Sequence, residues 1–459
     1  MTHRTIQDLL SSAPDPVRAL RSVPFTLPLV IDGLTPQFTN WRSEQSAWHD
    51  SAALMDQSHH MYDLFVSGPD AEKALSRLAV NSFVGFAPGT AKQFIATNAD
   101  GHMIGDGILI RHGEQDFQLI ADVPVSVWTQ YHLEHGDDDL TLVVDPSTPF
   151  RDGGNPVHYR YEIQGPNALA ILAAATGAEI PPTRFFHVAE MTIAGHTVRG
   201  LRHGMAGKPG FELFGPWEEG PEVWAAIAAA GEAHDLHEVG FLAYWTANLE
   251  SGWFGNEVPA FYSGTGTEGF REWAPADIVG SLGGSFDSEN IEDYYVTPFD
   301  IGYANFVAFD HEFIGREALE AIADTPPALQ KVALVWNDED FANVFGSMLR
   351  PEEGLAPQPI DINDAGFSAY ALTHYDSLLV DGQHVGYSVQ YAYLAPHRSF
   401  VSLAAIAPEH AEPGTEVILL WGDSLTIPRD NVEPHRQVQI RATVAPSPFD
   451  SFARDRYRK

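Results

Sequence analysis

The segment Tyr159-Arg160-Tyr161-Glu162-Ile163-Gln164, continued by Gly165-Pro166-Asn167-Ala168, gives the clearest indication of the fold. Its first six residues are rich in aromatic and branched side chains, which is typical of a strand. The glycine then marks a turn, and the proline favours the first turn of a helix. Met61–Val66 and Gly68-Pro69-Asp70-Ala71 show the same strand-to-helix step earlier in the chain. Two related units of one strand, one helix and further strands are therefore predicted, which is an α+β arrangement.

The sequence on either side of these steps indicates how the chain is divided. A hairpin is predicted for Gln93–Thr97 and Gly107–Arg111 in the first unit, and further strands follow in the second. Thr325-Pro326-Pro327 is interpreted as a linker, after which six short strands predict a β-barrel or sandwich. We therefore expect a first domain over residues 1–325, with subdomains at approximately 45–150 and 155–300, and a β-barrel domain over residues 326–459.

Composition excludes several classes of protein. The chain has 459 residues, with 26 Lys and Arg against 62 Asp and Glu, so its formal charge is −36. Such an acidic chain lacks the basic surface that binding to nucleic acids or anionic membranes requires. The absence of cysteine rules out disulfides, a thiol nucleophile and thiolate metal sites. With no long apolar run and no signal-peptide pattern at the start, a cytoplasmic protein acting on a small molecule is expected.

Two loops carry polar residues that suit a binding site. Asp56-Gln57-Ser58-His59-His60 places five hydrogen-bonding side chains just before a strand. This loop is either a capped turn or a site whose histidine donates to a leaving oxygen near pH 7. Gly105-Asp106-Gly107 holds a carboxylate between two glycines. That carboxylate either caps a turn or contacts a ligand that approaches the backbone closely.

Three further side chains suit a ligand, and two of them have a second interpretation. Glu212 follows a glycine-rich loop and alternates with apolar neighbours, so it faces either solvent or the amino groups of a ring. Trp253 either packs in the core or stacks on a flat aromatic ligand, and Tyr244 supplies a phenol nearby.

These segments, in this order, resemble the tetrahydrofolate-dependent methyltransferase superfamily of the glycine-cleavage T-protein. Within it, the chain looks most like the tetrahydrofolate-dependent aryl O-demethylases of the vanillate and 3-O-methylgallate type. The matching segments are Phe38–Arg42, Asp56–Met61, Gly101–Gly107, Ile163–Pro166, Leu201–Gly207, Gly210–Glu212, Leu249–Gly252, Gly283–Phe286, Asn290–Val296 and Phe313–Leu319.

The resemblance implies a T-protein-like fold of two related α+β subdomains around a central folate channel, plus a C-terminal β-barrel. It implies transfer of a methyl group from a methoxy-aromatic compound to N5 of tetrahydrofolate, without a metal. By position, Tyr244 matches the catalytic tyrosine and His60 a histidine on the substrate side. The folate-binding residues that the resemblance implies are Glu212, Trp253, Gln57, Asp106 and Gln164.

Two substrate-side positions depart from the family pattern. Members that act on aromatic acids carry an arginine where this chain has Asp122, and a tyrosine where it has Ile31. An arginine binds a carboxylate, whereas an aspartate repels it. We therefore expect a neutral methoxyphenol, or a donor bearing a cation, rather than vanillate. Three alternatives stay open: a folate-dependent demethylase of a sulfonium or N-methyl donor, an aminomethyltransferase, and a non-catalytic folate-binding protein.

Overall fold

The computed structural model describes residues 4–23, 33–255, 257–350, 354–360 and 370–458. Within these ranges no helix is long and apolar enough to cross a membrane. The strands are β1 (Ala52–Asp56), β2 (Tyr62–Ser67), β3 (Thr90–Thr97), β4 (Met103–Gly113), β5 (Asp116–Ala121), β6 (Thr141–Asp145), β7 (His158–Gln164), β8 (Val188–Ile193), β9 (His196–Leu201), β10 (Gly210–Pro216), β11 (Leu236–Val239), β12 (Leu282–Gly283), β13 (Gln330–Trp336), β14 (Thr373–His374), β15 (Asp376–Val380), β16 (Gln383–Leu394), β17 (Ser399–Ile406), β18 (Glu416–Trp421) and β19 (Val438–Ala445).

Short helices connect these strands. They are α1 (Ile6–Leu10), α2 (Pro16–Arg21), α3 (Trp41–Glu44), α4 (Ala47–Asp50), α5 (Ala71–Ser76), α6 (Val123–Glu134), α7 (Ala168–Thr176), α8 (Gly220–Gly231), α9 (Phe241–Tyr244), α10 (Ala247–Ser251), α11 (Glu268–Trp273), α12 (Arg316–Ile322), α13 (Asp338–Ser347) and α14 (Ser451–Asp455). The longest are α6 and α8, with 12 residues each.

Three large sheets and one two-stranded sheet, β12-β14, organise the described part of the chain. The first has the strand order β3-β4-β5-β2-β6, and the second has the order β11-β1-β7-β10-β9-β8. The third is a closed barrel, β13-β17-β16-β15-β18-β19. The predicted fold class, two α+β units followed by a β-barrel, is thus confirmed. The predicted domain boundaries stay a prediction, and β1, which precedes the first sheet in sequence, pairs with β7 and β11 of the second.

The two strand-to-helix steps have the same backbone conformation. Gly68 after β2 has φ +127°, and Gly165 after β7 has φ +133°. A Cβ atom on Gly165 would lie 2.5 Å from the carbonyl oxygen of Ser51, and one on Gly68 would lie 2.8 Å from that of Asp139. Only glycine fits such a conformation with the backbone so close. The structure therefore explains why both steps contain glycine before proline.

Apolar side chains from each sheet pack against its helices. In the second sheet, Ile163 and Phe211 of neighbouring strands lie in one buried cluster with Ile171 of α7 and Ile227 of α8. A separate buried cluster holds α9 against α3 and β1, and it contains Trp41, Met55 and Tyr244. This packing fixes the orientation of α9 and hence the position of Tyr244.

Candidate active site

A cavity of about 590 Å³ collects the predicted site residues. Strands of both open sheets, helices α9 and α10, the barrel strand β13 and the C-terminal residues contribute to its wall. Six of the predicted side chains line it, namely His60, Asp106, Asp122, Glu212, Tyr244 and Trp253. Residues separated by almost two hundred positions thus meet in one cavity. Ile31 lies outside the described residues.

His60 and Tyr244 form a polar pair in the cavity wall. The Nε2 atom of His60 lies 3.4 Å from the Tyr244 hydroxyl, and the ring centroids are 5.1 Å apart. Burial and the nearby carboxylates of Glu162 and Glu212 raise the pKa of Tyr244 well above its usual range. The phenol therefore stays protonated and can donate a hydrogen bond to a ligand.

His60 lies in the cavity wall, and its surroundings keep the imidazole uncharged. Burial, reinforced by the Arg160 guanidinium, lowers the pKa of His60 to about 3. The imidazole is therefore neutral at physiological pH and keeps one N–H donor, so its predicted role as a donor to the leaving oxygen stays a prediction. Its Nδ1 atom is buried and has no hydrogen-bond partner among the described residues. A ligand in the cavity can supply that partner.

Glu212 faces the cavity, not the solvent, and it is held by two basic side chains. His203 Nδ1 lies 2.7 Å from Glu212 Oε1, and the Arg160 guanidinium lies 3.8 Å from Oε2. Burial raises the pKa of Glu212, but His203 and Arg160 outweigh burial and bring this pKa below its usual value. The carboxylate is therefore charged, and its Oε2 atom can accept a hydrogen bond from a ligand.

Glu162 lies directly across the sheet from Glu212, in register on β7. Met205 N–H donates to its Oε1 at 2.9 Å, and Gln57 donates to its Oε2. Burial and the Glu212 charge raise the pKa of Glu162 well above its usual range. Two neighbouring carboxylates thus differ in charge, because only Glu212 has basic partners.

Gln57 and Gln164 stand behind the cavity wall. Gln57 is fully buried and bonded to Glu162, as described above. Gln164 is also fully buried, and its amide lies so close to Gly204 that a Cβ atom there would meet it at 1.3 Å. Both glutamines support residues or loops of the wall, and their predicted contact with a folate stays a prediction.

Asp106 and Trp253 interact directly at another part of the wall. Trp253 Nε1 donates to Asp106 Oδ1 at 3.0 Å, and Gln93 and Tyr303 approach the other carboxylate oxygen. Burial raises the pKa of Asp106 to about 7. Lys331, which donates to the Gly252 carbonyl at 2.8 Å, faces the same cavity. Trp253 is therefore oriented by a hydrogen bond and is not simply packed in the core.

Asp122 has a different environment. It occupies the N-cap position of α6, but its side chain makes no capping hydrogen bond. Within the described ranges, no basic side chain forms an ion pair with it. Burial raises the pKa of Asp122 to about 6. Tyr244 and Asp106 both lie within electrostatic reach of this carboxylate.

Three site residues were not singled out from the sequence. Arg160 and Glu162 alternate with apolar residues along β7, which is the same signal that pointed to Glu212. His203 lies in the glycine-rich loop that the family pattern includes. Alternation alone would have found Glu162, but it does not tell which polar side chain faces a cavity.

One cluster in the described part of the chain has the composition of a metal site. His49, Glu250 and His397 have ligand atoms within 4.8 Å of one another. Glu250 is fully buried, accepts a hydrogen bond from Trp48 at 2.9 Å and lies 2.9 Å from His49 Nε2, so its oxygens already have partners within the protein. The cluster does not line the cavity. The expectation that the reaction needs no metal stays a prediction.

Comparison with known proteins agrees with this geometry. Residues 23–259 match the family model of the GCVT N-terminal domain. The chain is 44% identical to syringate O-demethylase of Sphingobium sp., over 99% of this chain and 98% of that protein. It is 30% identical to sesamin methylene transferase of Sinomonas sp., over 91% of this chain and 90% of that protein.

A solved structure shows the same fold. The glycine cleavage system aminomethyltransferase T from Bartonella henselae superposes with a TM-score of 0.60 at 18% identity, covering 93% of this chain and 91% of that one. The superfamily predicted from the sequence motifs is confirmed by these matches. The chain belongs to the family of the GCVT N-terminal domain.

Proposed function

We propose that the protein is a tetrahydrofolate-dependent O-demethylase, which transfers the methyl group of a methoxy-aromatic compound to N5 of tetrahydrofolate. The observation that carries the proposal is the cavity in which the protonated Tyr244 phenol and the charged Glu212 carboxylate meet. The printed activities of the relatives, O-demethylation of syringate and methylene transfer from sesamin, support the same class of reaction. The predicted cytoplasmic location stays a prediction.

The residues of the cavity fit a reduced pterin. Glu212 is charged and has an acceptor oxygen facing the cavity, which suits the adjacent N–H and amino groups of a pterin ring. Trp253, oriented by Asp106, offers an aromatic face to the same cavity. Bound tetrahydrofolate supplies the nucleophilic nitrogen that accepts the methyl group.

The protein orients the two reactants and supplies one hydrogen-bond donor. In the overall reaction the aryl oxygen leaves the methyl carbon, N5 gains this carbon, and the N5 proton is lost while the phenol gains one. Tyr244, whose pKa is raised, donates its O–H to the leaving oxygen as negative charge develops there. His60, which is neutral, fixes the phenol from 3.4 Å and does not act as a charged acid.

Asp122 bears on the choice of methyl donor. Because no basic group of the described chain neutralises this carboxylate, a donor with its own carboxylate meets repulsion. We infer a preference for donors without a carboxylate, such as guaiacol or syringol, over vanillate or syringate.

A second candidate follows from the same observation. A sulfonium or N-methyl donor carries a positive charge. This charge could pair with the Asp122 carboxylate, whose side chain makes no capping hydrogen bond. Such a donor would also pass its methyl group to tetrahydrofolate.

A panel of methyl donors tests both candidates. Guaiacol, vanillate, syringol, syringate and trimethylsulfonium are incubated with the protein and tetrahydrofolate, and 5-methyltetrahydrofolate is measured by mass spectrometry. Demethylation of the methoxyphenols supports the proposal, and turnover of the sulfonium alone replaces it with the second candidate. No methyl transfer from any donor contradicts both. Syringate turnover above that of syringol contradicts the inference from Asp122 alone.

A further inference from the structure

A second depression in the surface, an open groove of about 900 Å³, adjoins the cavity. Phe185 and Arg458 line both spaces. The Arg458 guanidinium lies 5.9 Å from the ring centroid of Phe185 and 5.8 Å from that of Phe306, which lines the cavity. The groove therefore continues from the edge of the site described above.

The charge of this groove is opposite to that of the chain. Arg184, Arg202 and Arg458 all line it, and no Asp or Glu is found among its described lining residues. The chain as a whole has 36 more acidic than basic residues. Three arginines on one surface are therefore not a consequence of the overall composition.

These arginines also lack acidic partners. In the part of the chain that the structure describes, no carboxylate forms an ion pair with Arg184, Arg202 or Arg458. Arg202 contacts the Gly210 carbonyl at 3.5 Å and lies 5.5 Å from the Tyr457 ring centroid. Arg184 and Arg458 are exposed. Arginines that line one groove without acidic partners can bind an anion that carries several carboxylates.

We propose that this groove binds the γ-glutamyl extension of a folylpolyglutamate whose pterin occupies the cavity. The inference rests on the proposed function, because it takes a folate as the ligand of the cavity. Each added γ-glutamyl unit contributes one carboxylate. Three guanidinium groups line the groove: Arg458 at the edge shared with the cavity, and Arg184 and Arg202 elsewhere along it. The apolar part of the groove, which includes Leu169 and Ile180, can cover the methylene groups of such a chain.

The test compares two forms of one folate by isothermal titration calorimetry. The probes are 5-methyltetrahydrofolate with one glutamate and with three. The ratio of the two dissociation constants is expected to favour the triglutamate about tenfold, as charge-assisted hydrogen bonds allow. The ratio should fall as NaCl is raised, because exposed charges are screened.

Variants assign the effect to the groove. Arg184→Gln should lower the ratio, and the charge reversal Arg184→Glu should bring it to about one or below. Arg202→Gln should act in the same direction, and Arg184, being exposed, keeps the test valid if Arg202→Gln fails to fold. Arg398→Gln, an exposed arginine in the turn between β16 and β17, removes the same charge elsewhere and should leave the ratio unchanged.

Several outcomes overturn the proposal. A ratio near one in the unaltered protein, or a ratio that the Arg184 variants do not change, contradicts it. If a free acidic peptide without a pterin binds the groove as tightly as the triglutamate folate, the groove is a peptide-docking surface and the proposal fails. If the triglutamate is preferred but no methyl donor is demethylated, the inference stands and the proposed reaction fails.

Discussion

Two carboxylates of the cavity, Glu212 and Asp122, are treated differently by the fold. Glu212 has His203 at 2.7 Å and Arg160 at 3.8 Å, and these groups bring its pKa below the usual value despite burial. Asp122 has no such partner in the described chain, and burial raises its pKa to about 6. The folded protein thus holds Glu212 charged before a ligand binds, whereas the charge of Asp122 can be paired only by the ligand. A preorganised charge suits a ligand group common to every turnover, whereas an unmatched one selects among donors.

Tyr244 lies within reach of both carboxylates, and its replacement should have the largest effect. Tyr244→Phe removes the O–H that stabilises the leaving oxygen and should lower kcat about 100-fold or more. Folate binding should change little, because the ring is retained in its buried cluster. Single-turnover methyl transfer and a folate titration measure the two effects. Full activity of this variant would refute the role of the phenol.

Replacing Glu212, the carboxylate with basic partners, should have the second-largest effect. Glu212→Gln removes a charged acceptor and should weaken tetrahydrofolate binding about 10–100-fold, the range expected for charge-assisted hydrogen bonds. Calorimetric titration measures it. Glu190→Gln on β8 is the matched control, because Glu190 is exposed and lies outside the cavity. Equal affinities in both variants would show that Glu212 does not bind the pterin.

Neutralising Asp122, the carboxylate without a basic partner in the described chain, should change substrate specificity more than the rate of methyl transfer. Asp122→Asn should raise kcat/KM for vanillate relative to guaiacol about tenfold at pH 8, since the repulsion of the substrate carboxylate is lost. Asp116→Asn, at the exposed start of β5, is the control. An unchanged ratio in Asp122→Asn would mean that this carboxylate does not face the donor.

The smallest expected effect is a pH dependence of the same ratio. The pKa of Asp122 is raised to about 6, so its carboxyl group is neutral below pH 6 and charged above it. The preference for guaiacol over vanillate should therefore increase about eightfold as pH rises from 5 to 8. Asp106, whose pKa is about 7, lines the same cavity, so the pH profile of Asp122→Asn separates its contribution from that of Asp122. A ratio that is flat with pH, or that falls, would contradict this account.

Sequence patterns predicted the parts of the fold that local interactions determine. The two glycine-proline steps were found because Gly68 and Gly165 need a conformation that no other residue adopts easily. The pairing of β1 with β7 and β11 was not found, because it joins segments far apart in the chain. The alternating pattern of a strand does not show which distant strand it will meet.

The site was predicted to a similar extent. Family resemblance led to Tyr244, His60 and Glu212, which the cavity brings together. Arg160 and Glu162 were missed, because the state of Glu212 depends on neighbours across the sheet that only the register reveals. The charge state of His60 could not be predicted either, since it depends on burial, which is a property of the folded chain.

The central claim is that the methyl group passes from an aryl ether to the folate. Guaiacol with a trideuterated methoxy group, incubated with the protein and tetrahydrofolate, tests it most directly by mass spectrometry. The account predicts 5-methyltetrahydrofolate that carries all three deuterium atoms, together with an equal amount of catechol. Catechol without labelled folate, or no reaction with guaiacol while a sulfonium donor labels the folate, would contradict it.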